Sequence, residues 1–121
     1  MSVICLYCGS GAALVSGISI YPSRTDLHSK QFWSCKPCDA YVGCHPGNAD
    51  PLGRLANAEL RRAKVAAHAA FDPLWKTGQM KRREAYAWLR EALGIDAHEC
   101  HVGMFDVEMC KAVVAACRGL R

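Results

Sequence analysis

No apolar run in this chain approaches the roughly 18 residues that a membrane-spanning helix needs. The longest are short stretches such as residues 112–117, so a membrane partner is not expected. The N-terminal Met-Ser-Val-Ile-Cys lacks the charged segment and long apolar core of a secretory signal, and the chain is expected to stay in the cytoplasm. There is no low-complexity tract and no internal repeat beyond two cysteine pairs. Charge is also scarce: 21% of residues are charged and 51% are hydrophobic, a balance that can bury a core and excludes a disordered chain. No carboxylate cluster or open metal site can be assembled, which leaves a hydrolase or nuclease with the least support.

What the chain has in excess is cysteine, eight in 121 residues. In a secreted protein these would imply disulfides. Without a secretion signal a reducing cytosol is expected, where cysteines serve as metal ligands or as small core residues. Four of them form the pairs Cys5-x-x-Cys8 and Cys35-x-x-Cys38, while Cys44 stands beside His45, and Cys100, Cys110 and Cys117 lie far downstream. A Cys-x-x-Cys turn delivers two thiolates to one ion, and two such turns complete a tetrahedral set. Cys5, Cys8, Cys35 and Cys38 are therefore the expected Zn2+ ligands, in a closed structural site; another metal or ligand set is the alternative. Cys44-His45 could replace one ligand or begin a second site, and His98, Cys100 and His101 also cluster. Both groups read more simply as loop and packing residues.

The expected fold is α+β: a zinc-ribbon-like module over residues 1–50, then a three-helix region over residues 51–121 packed with it. Residues 12–21 alternate as a strand with Leu14, Ile18 and Ile20 on one face, and residues 32–34 and 40–43 flank the second knuckle as further strands. Residues 45–53, rich in Pro, Gly, Asn and Asp, read as a linker. A first helix follows Asn57, with Leu60, Ala63, Ala67, Ala70 and Phe71 at helical spacing, and Pro73 should break it at Asp72. A second helix over residues 78–93 should bury Ala85, Trp88, Leu89, Ala92 and Leu93 and stop at Gly94. Asp106 should cap a third, with Cys110, Val113, Val114 and Cys117 on one face.

The string from Phe32-Trp33-Ser34-Cys35 through Cys38, Ala40-Tyr41-Val42-Gly43-Cys44-His45 resembles a zinc-finger-containing family of unknown function found in bacteriophages and bacterial genomes. The likeness continues through Pro51-Leu52-Gly53, Leu60-Arg61, the stretch from His68 to Trp75, Tyr86-x-Trp88-Leu89 and the stretch from Cys100 to Asp106. It implies a fold and a phage setting, and carries no activity with it. Cys110 and Cys117 are outside what it explains.

Charge is unevenly placed. Residues 51–90 hold nine basic and three acidic side chains, between a neutral first segment and an acidic tail. Arg61, Lys64, His68 and Asp72 step along one helical face, with Trp75 extending the line. They are either a recognition face or a His68–Asp72 hydrogen bond flanked by solvated cations. Lys81, Arg82 and Arg83 open a helix, where cations oppose the macrodipole and ask for compensation from a phosphate or an acidic partner. These features favour a zinc-binding accessory or regulatory protein that meets nucleic acid through its basic segment. The alternative is a phage-type interaction module that docks on a host protein.

Overall fold

The computed structural model describes residues 2–98, 100 and 102–120. His101, one of the residues considered for a second metal, lies outside the described residues. The chain forms two compact units, Met1–Ala58 and Glu59–Arg121, and the class is α+β as expected.

In the first unit, β1 (Ala13–Ser16), β2 (Gln31–Cys35) and β3 (Ala40–Gly43) form an antiparallel sheet in the order β1-β2-β3. The register places Leu14, Trp33 and Val42 in one row across the sheet and Val15, Phe32 and Gly43 in the next. Successive residues of a strand face opposite sides, so the central strand β2 sends Trp33 to one face and Phe32 to the other. Trp33 packs in a core with Cys5, Cys35, Ala40 and Leu55. On the opposite face Tyr21, Phe32 and Tyr41 meet edge to face at 5.8–6.2 Å between ring centres, and the two tyrosine hydroxyls share a 2.8 Å hydrogen bond.

Two expectations for this unit are corrected. The strand expected over residues 12–21 ends at Ser16, and α1 (Gly17–Ile20) is a single helical turn. Leu14 and Ile18 are both exposed. The cause is a close approach: the Gly17 amide donates to the Lys30 carbonyl at 2.7 Å, and its Cα sits against the Leu27 carbonyl, where no side chain fits. The segment read as a linker is folded onto the sheet. The Trp33 indole N–H donates to the Ala49 carbonyl at 2.7 Å, Ala56 bridges to Tyr41, and Leu55 is fully buried. The unit therefore runs past residue 50, to Ala58.

The second unit contains α2 (Ala58–Phe71), α3 (Pro73–Lys76), α4 (Arg82–Leu93) and α5 (Val107–Arg118). Leu60, Ala67 and Phe71 of α2 are buried, and Phe71 meets Tyr86 edge-on at 4.9 Å. Helix α4 packs against both α3 and α5. Pro73 ends α2 without turning the backbone away: Asp72 keeps helical angles (φ −58°, ψ −35°) and still donates to His68, so α3 follows as a further helical turn. The second main helix starts at Arg82 rather than 78, after a bend in which Gly78 takes φ +83°. Only Ala85 and Leu89 of its expected buried set are fully enclosed, and Ala92 is exposed. Gly94 caps its end at φ +69°, and the Asp106 carboxylate accepts from the Met109 amide at 2.8 Å at the start of α5. Cys110, Val113 and Cys117 are buried; Val114 is half-buried. No helix among the described residues is long and apolar enough to cross a membrane.

Gly17→Ala must displace the Leu27 backbone, an overpacking that costs about 1–3 kcal/mol or more. Gly11→Ala, where a Cβ meets nothing within 4 Å, serves as control. Denaturant unfolding of the metal-loaded protein should show a large loss for the first and little change for the second.

Candidate metal centre

The first knuckle is a tight turn after Cys5: the Gly9 amide donates back to the Cys5 carbonyl at 2.8 Å, and the Cys5 amide donates to the Ser10 carbonyl at 2.9 Å. Gly9 has φ +77°, a left-handed conformation that glycine adopts without steric cost. The second knuckle also turns through a left-handed residue, but its return hydrogen bond spans one residue fewer. Asp39 follows Cys38 as Gly9 follows Cys8, and it takes φ +50°, with its amide on the Lys36 carbonyl at 3.0 Å. Aspartate tolerates this region better than most side chains do. The strain it carries marks a turn fixed by something other than local preference, and comparing the two knuckles position by position would have disclosed it from sequence.

These turns bring the Sγ atoms of Cys5, Cys8, Cys35 and Cys38 within 4.8 Å of one another. Corners of a tetrahedron around zinc at a metal–sulfur distance of about 2.3 Å stand about 3.8 Å apart, and Cys8 Sγ lies 3.7 Å from Cys35 Sγ. That is far beyond the roughly 2.05 Å of a disulfide, and all eight cysteines are free. The donor set and its spacing thus fit a four-coordinate thiophilic metal ion. Cys5 and Cys35 are buried, Cys38 half-buried, and Cys8 is exposed. Among the described residues no second group of three candidate ligands converges. Cys44 is tucked beside the Trp33 core, where burial raises its thiol pKa. The His45 backbone closes a loop with Asp50 and Asn48.

Three of these thiols differ in how tightly they hold a proton. Hydrogen bonds from Ser10, first its backbone and then its hydroxyl, lower Cys8 to about 6. The hydrogen bond with Cys8, reinforced by burial, pushes Cys38 up to about 12. At Cys35 a hydrogen bond from the Cys38 backbone lowers the pKa, but burial and the neighbouring thiols outweigh it and the net shift is upward.

The basic residues singled out from sequence are placed less uniformly. Arg61 is half-buried. Lys64 is bound to the Gly103 carbonyl at 2.8 Å, so it does not stand as a plain solvated cation. His68 Nδ1 lies 3.2 Å from the Asp72 carboxylate, which fixes the turn that leads to Trp75. Trp75, Lys76, Arg82 and Tyr86 come together at the corner between α3 and α4. The Arg82 guanidinium lies 5.3 Å from the Trp75 ring centre and 4.9 Å from that of Tyr86, and the Lys76 ammonium lies 5.5 Å from Trp75. The compensation expected from a partner is thus partly internal. The two rings face Arg82, and the Glu84 carboxylate accepts from the Lys81 amide at 3.2 Å. Lys81, Arg82 and Arg83 are exposed. Neither Tyr86 nor Lys76 is among the binding residues expected from sequence. The ring-and-cation signal was present, but separated by the turn at Gly78.

Metal uptake at pH 7 must displace the protons held by Cys35 and Cys38, whose pKa values lie above the ordinary thiol value, whereas Cys8 is already ionised. The loaded state binds fewer protons, so affinity rises with pH and is lost on acidification. Zinc competition against a chromogenic chelator between about pH 6 and 8 should give a log affinity that climbs by roughly 2 or more per pH unit. A pH-independent affinity would contradict a thiolate site.

The family model described as a zinc-finger-containing domain matches residues 1–119. No curated protein and no solved structure matches the chain. With two knuckles converging on one four-sulfur site and the match spanning almost the whole sequence, the chain belongs to the zinc-finger-containing domain family, one of unknown function.

Proposed function

We propose that this chain is a small zinc-binding accessory protein in which Cys5, Cys8, Cys35 and Cys38 hold a structural zinc and the α3–α4 corner meets nucleic acid. The observation that carries the reading is Lys76 over the Trp75 ring and Arg82 over Trp75 and Tyr86, with Lys81 and Arg83 exposed on either side of Arg82 in the sequence. Within residues 72–86 those four cations face two carboxylates, Asp72 and Glu84. Asp72 is already engaged by His68, with Lys76 more distant at 3.9 Å. Excess positive charge on an exposed corner attracts a polyanion by releasing its condensed counterions. Because Arg82 already faces both rings, contact runs through phosphates rather than through stacked bases, so affinity depends on salt and tolerates sequence. Four thiolates complete the coordination of zinc and leave no position for a reacting water. The metal's part is to fix the ribbon.

Lys81 and Arg83 are the cations to test, since Arg82 also packs on two rings. Binding of a generic DNA duplex and of single strands by the zinc-loaded protein should weaken as salt rises. The variant Lys81→Gln with Arg83→Gln should show a log–log slope shallower by about 1.4 to 1.8, the share of two phosphate contacts, with zinc content and melting temperature unchanged. Absence of binding to either probe at low salt would remove the nucleic-acid reading.

A further inference from the structure

Away from the basic corner, α2 and α5 flank a trough of about 460 Å³, within the size range of ligand-binding clefts. Its floor is built from small apolar side chains, among them Ala63, Ala66, Val114 and Ala115. They come from two separate helices. Ala66 and Ala115 are exposed, and Ala63 and Val114 half-buried, so the surface is reachable rather than sealed. The rim is charged and lopsided: Arg62, Lys111 and Arg118 against Glu59. Among the described residues neither Arg62 nor Arg118 has an ion-pair partner, and Lys111 reaches only Glu108, at 3.7 Å between two well-exposed side chains. Such an exposed pair contributes little and leaves the lysine open to exchange.

The chemistry of trough and rim selects the occupant. A nucleic acid held through its phosphates would meet only the rim cations, and its polar backbone would leave the alanine and valine of the floor uncovered. An apolar helix stripe fits between two helices when small floor residues let it approach closely, with anchors at i, i+3 or i+4 and i+7. Acidic residues on either side of that stripe would meet Arg62 on one wall and Lys111 and Arg118 on the other. We propose that the α2–α5 trough is a docking groove for an acidic amphipathic helix of a partner protein. This is a second surface of the chain and does not rest on nucleic-acid binding at the α3–α4 corner.

The probe is a synthetic helical peptide with leucines at i, i+4 and i+7 flanked by glutamates, compared with a scrambled peptide of the same composition and with a lysine-for-glutamate version. Fluorescence anisotropy on the full-length, zinc-loaded protein should show saturable binding of the acidic helix alone, weakened by added salt. Ala66→Trp, which fills the floor from an exposed position, should lower that affinity at least tenfold. Arg62→Glu with Arg118→Glu should do the same by reversing the rim, and these surface changes leave the floor intact should the tryptophan disturb folding. Equal binding of the scrambled peptide, or wild-type affinity in both variants, would overturn the proposal. Competitive displacement of the peptide by DNA would also overturn it, by placing the peptide at the α3–α4 corner. Concentration-dependent dimerisation abolished by Ala66→Trp would overturn it too, by making a second copy the occupant.

Discussion

Four cysteine sulfurs within 4.8 Å of one another cannot all be ionised without a cation among them. Like charges at such a distance repel, the more so the less water lies between them, and four thiolates make six such pairs. Left to themselves the thiols divide their protons, with Cys8 ionising early and Cys38 only near 12. A divalent metal converts that repulsion into the attraction that closes the site. The consequence reaches beyond the ligands, because Cys5 and Cys35 belong to the same core as Trp33, Ala40 and Leu55. Trp33 in turn holds the segment that ends in Leu55 and Ala56 through the Ala49 carbonyl. In a unit this small, apolar burial alone supplies little stability, whereas structural zinc contributes on the order of 10–16 kcal/mol in comparable small fingers. The knuckle turns, the central strand and the segment returning to Tyr41 are thus tied to the same cluster of sulfurs.

The helical unit stands on different ground. Phe71, Leu60, Leu89, Val113, Cys110 and Cys117 are nearly or fully enclosed, and its helix ends are satisfied by the Asp106 carboxylate and by Gly94. Cys110 and Cys117 act there as small apolar side chains, and burial raises the Cys110 thiol pKa. With its stability supplied by these contacts, the unit can carry exposed charge at the α3–α4 corner and an open trough between α2 and α5. The two surfaces proposed for binding both lie on the part of the chain whose core holds none of the four clustered cysteines.

Local features of the chain were readable from sequence, and contacts made across it were not. The two Cys-x-x-Cys knuckles, the Asp106 cap and the Gly94 stop are each defined within a few residues, and all four are present. The alternation over residues 12–21 was misleading because Gly17 is set by the Leu27 carbonyl, ten residues away. Residues 45–53 have the composition of a linker, yet they supply the acceptor for the Trp33 indole. Lys64 looked solvated on a helical wheel, but its partner is Gly103, 39 residues on. Arg82 meets Trp75 across a bend in which Gly78 takes φ +83°.

The account turns on one coordination sphere. X-ray absorption at the zinc edge on the purified, metal-loaded protein reads it directly. Four sulfur scatterers at about 2.3 Å with no nitrogen or oxygen contribution are the expected result, with one zinc per chain. A shell of mixed sulfur and nitrogen would contradict it, since it would bring a histidine such as His45 into the site in place of one of the four thiolates.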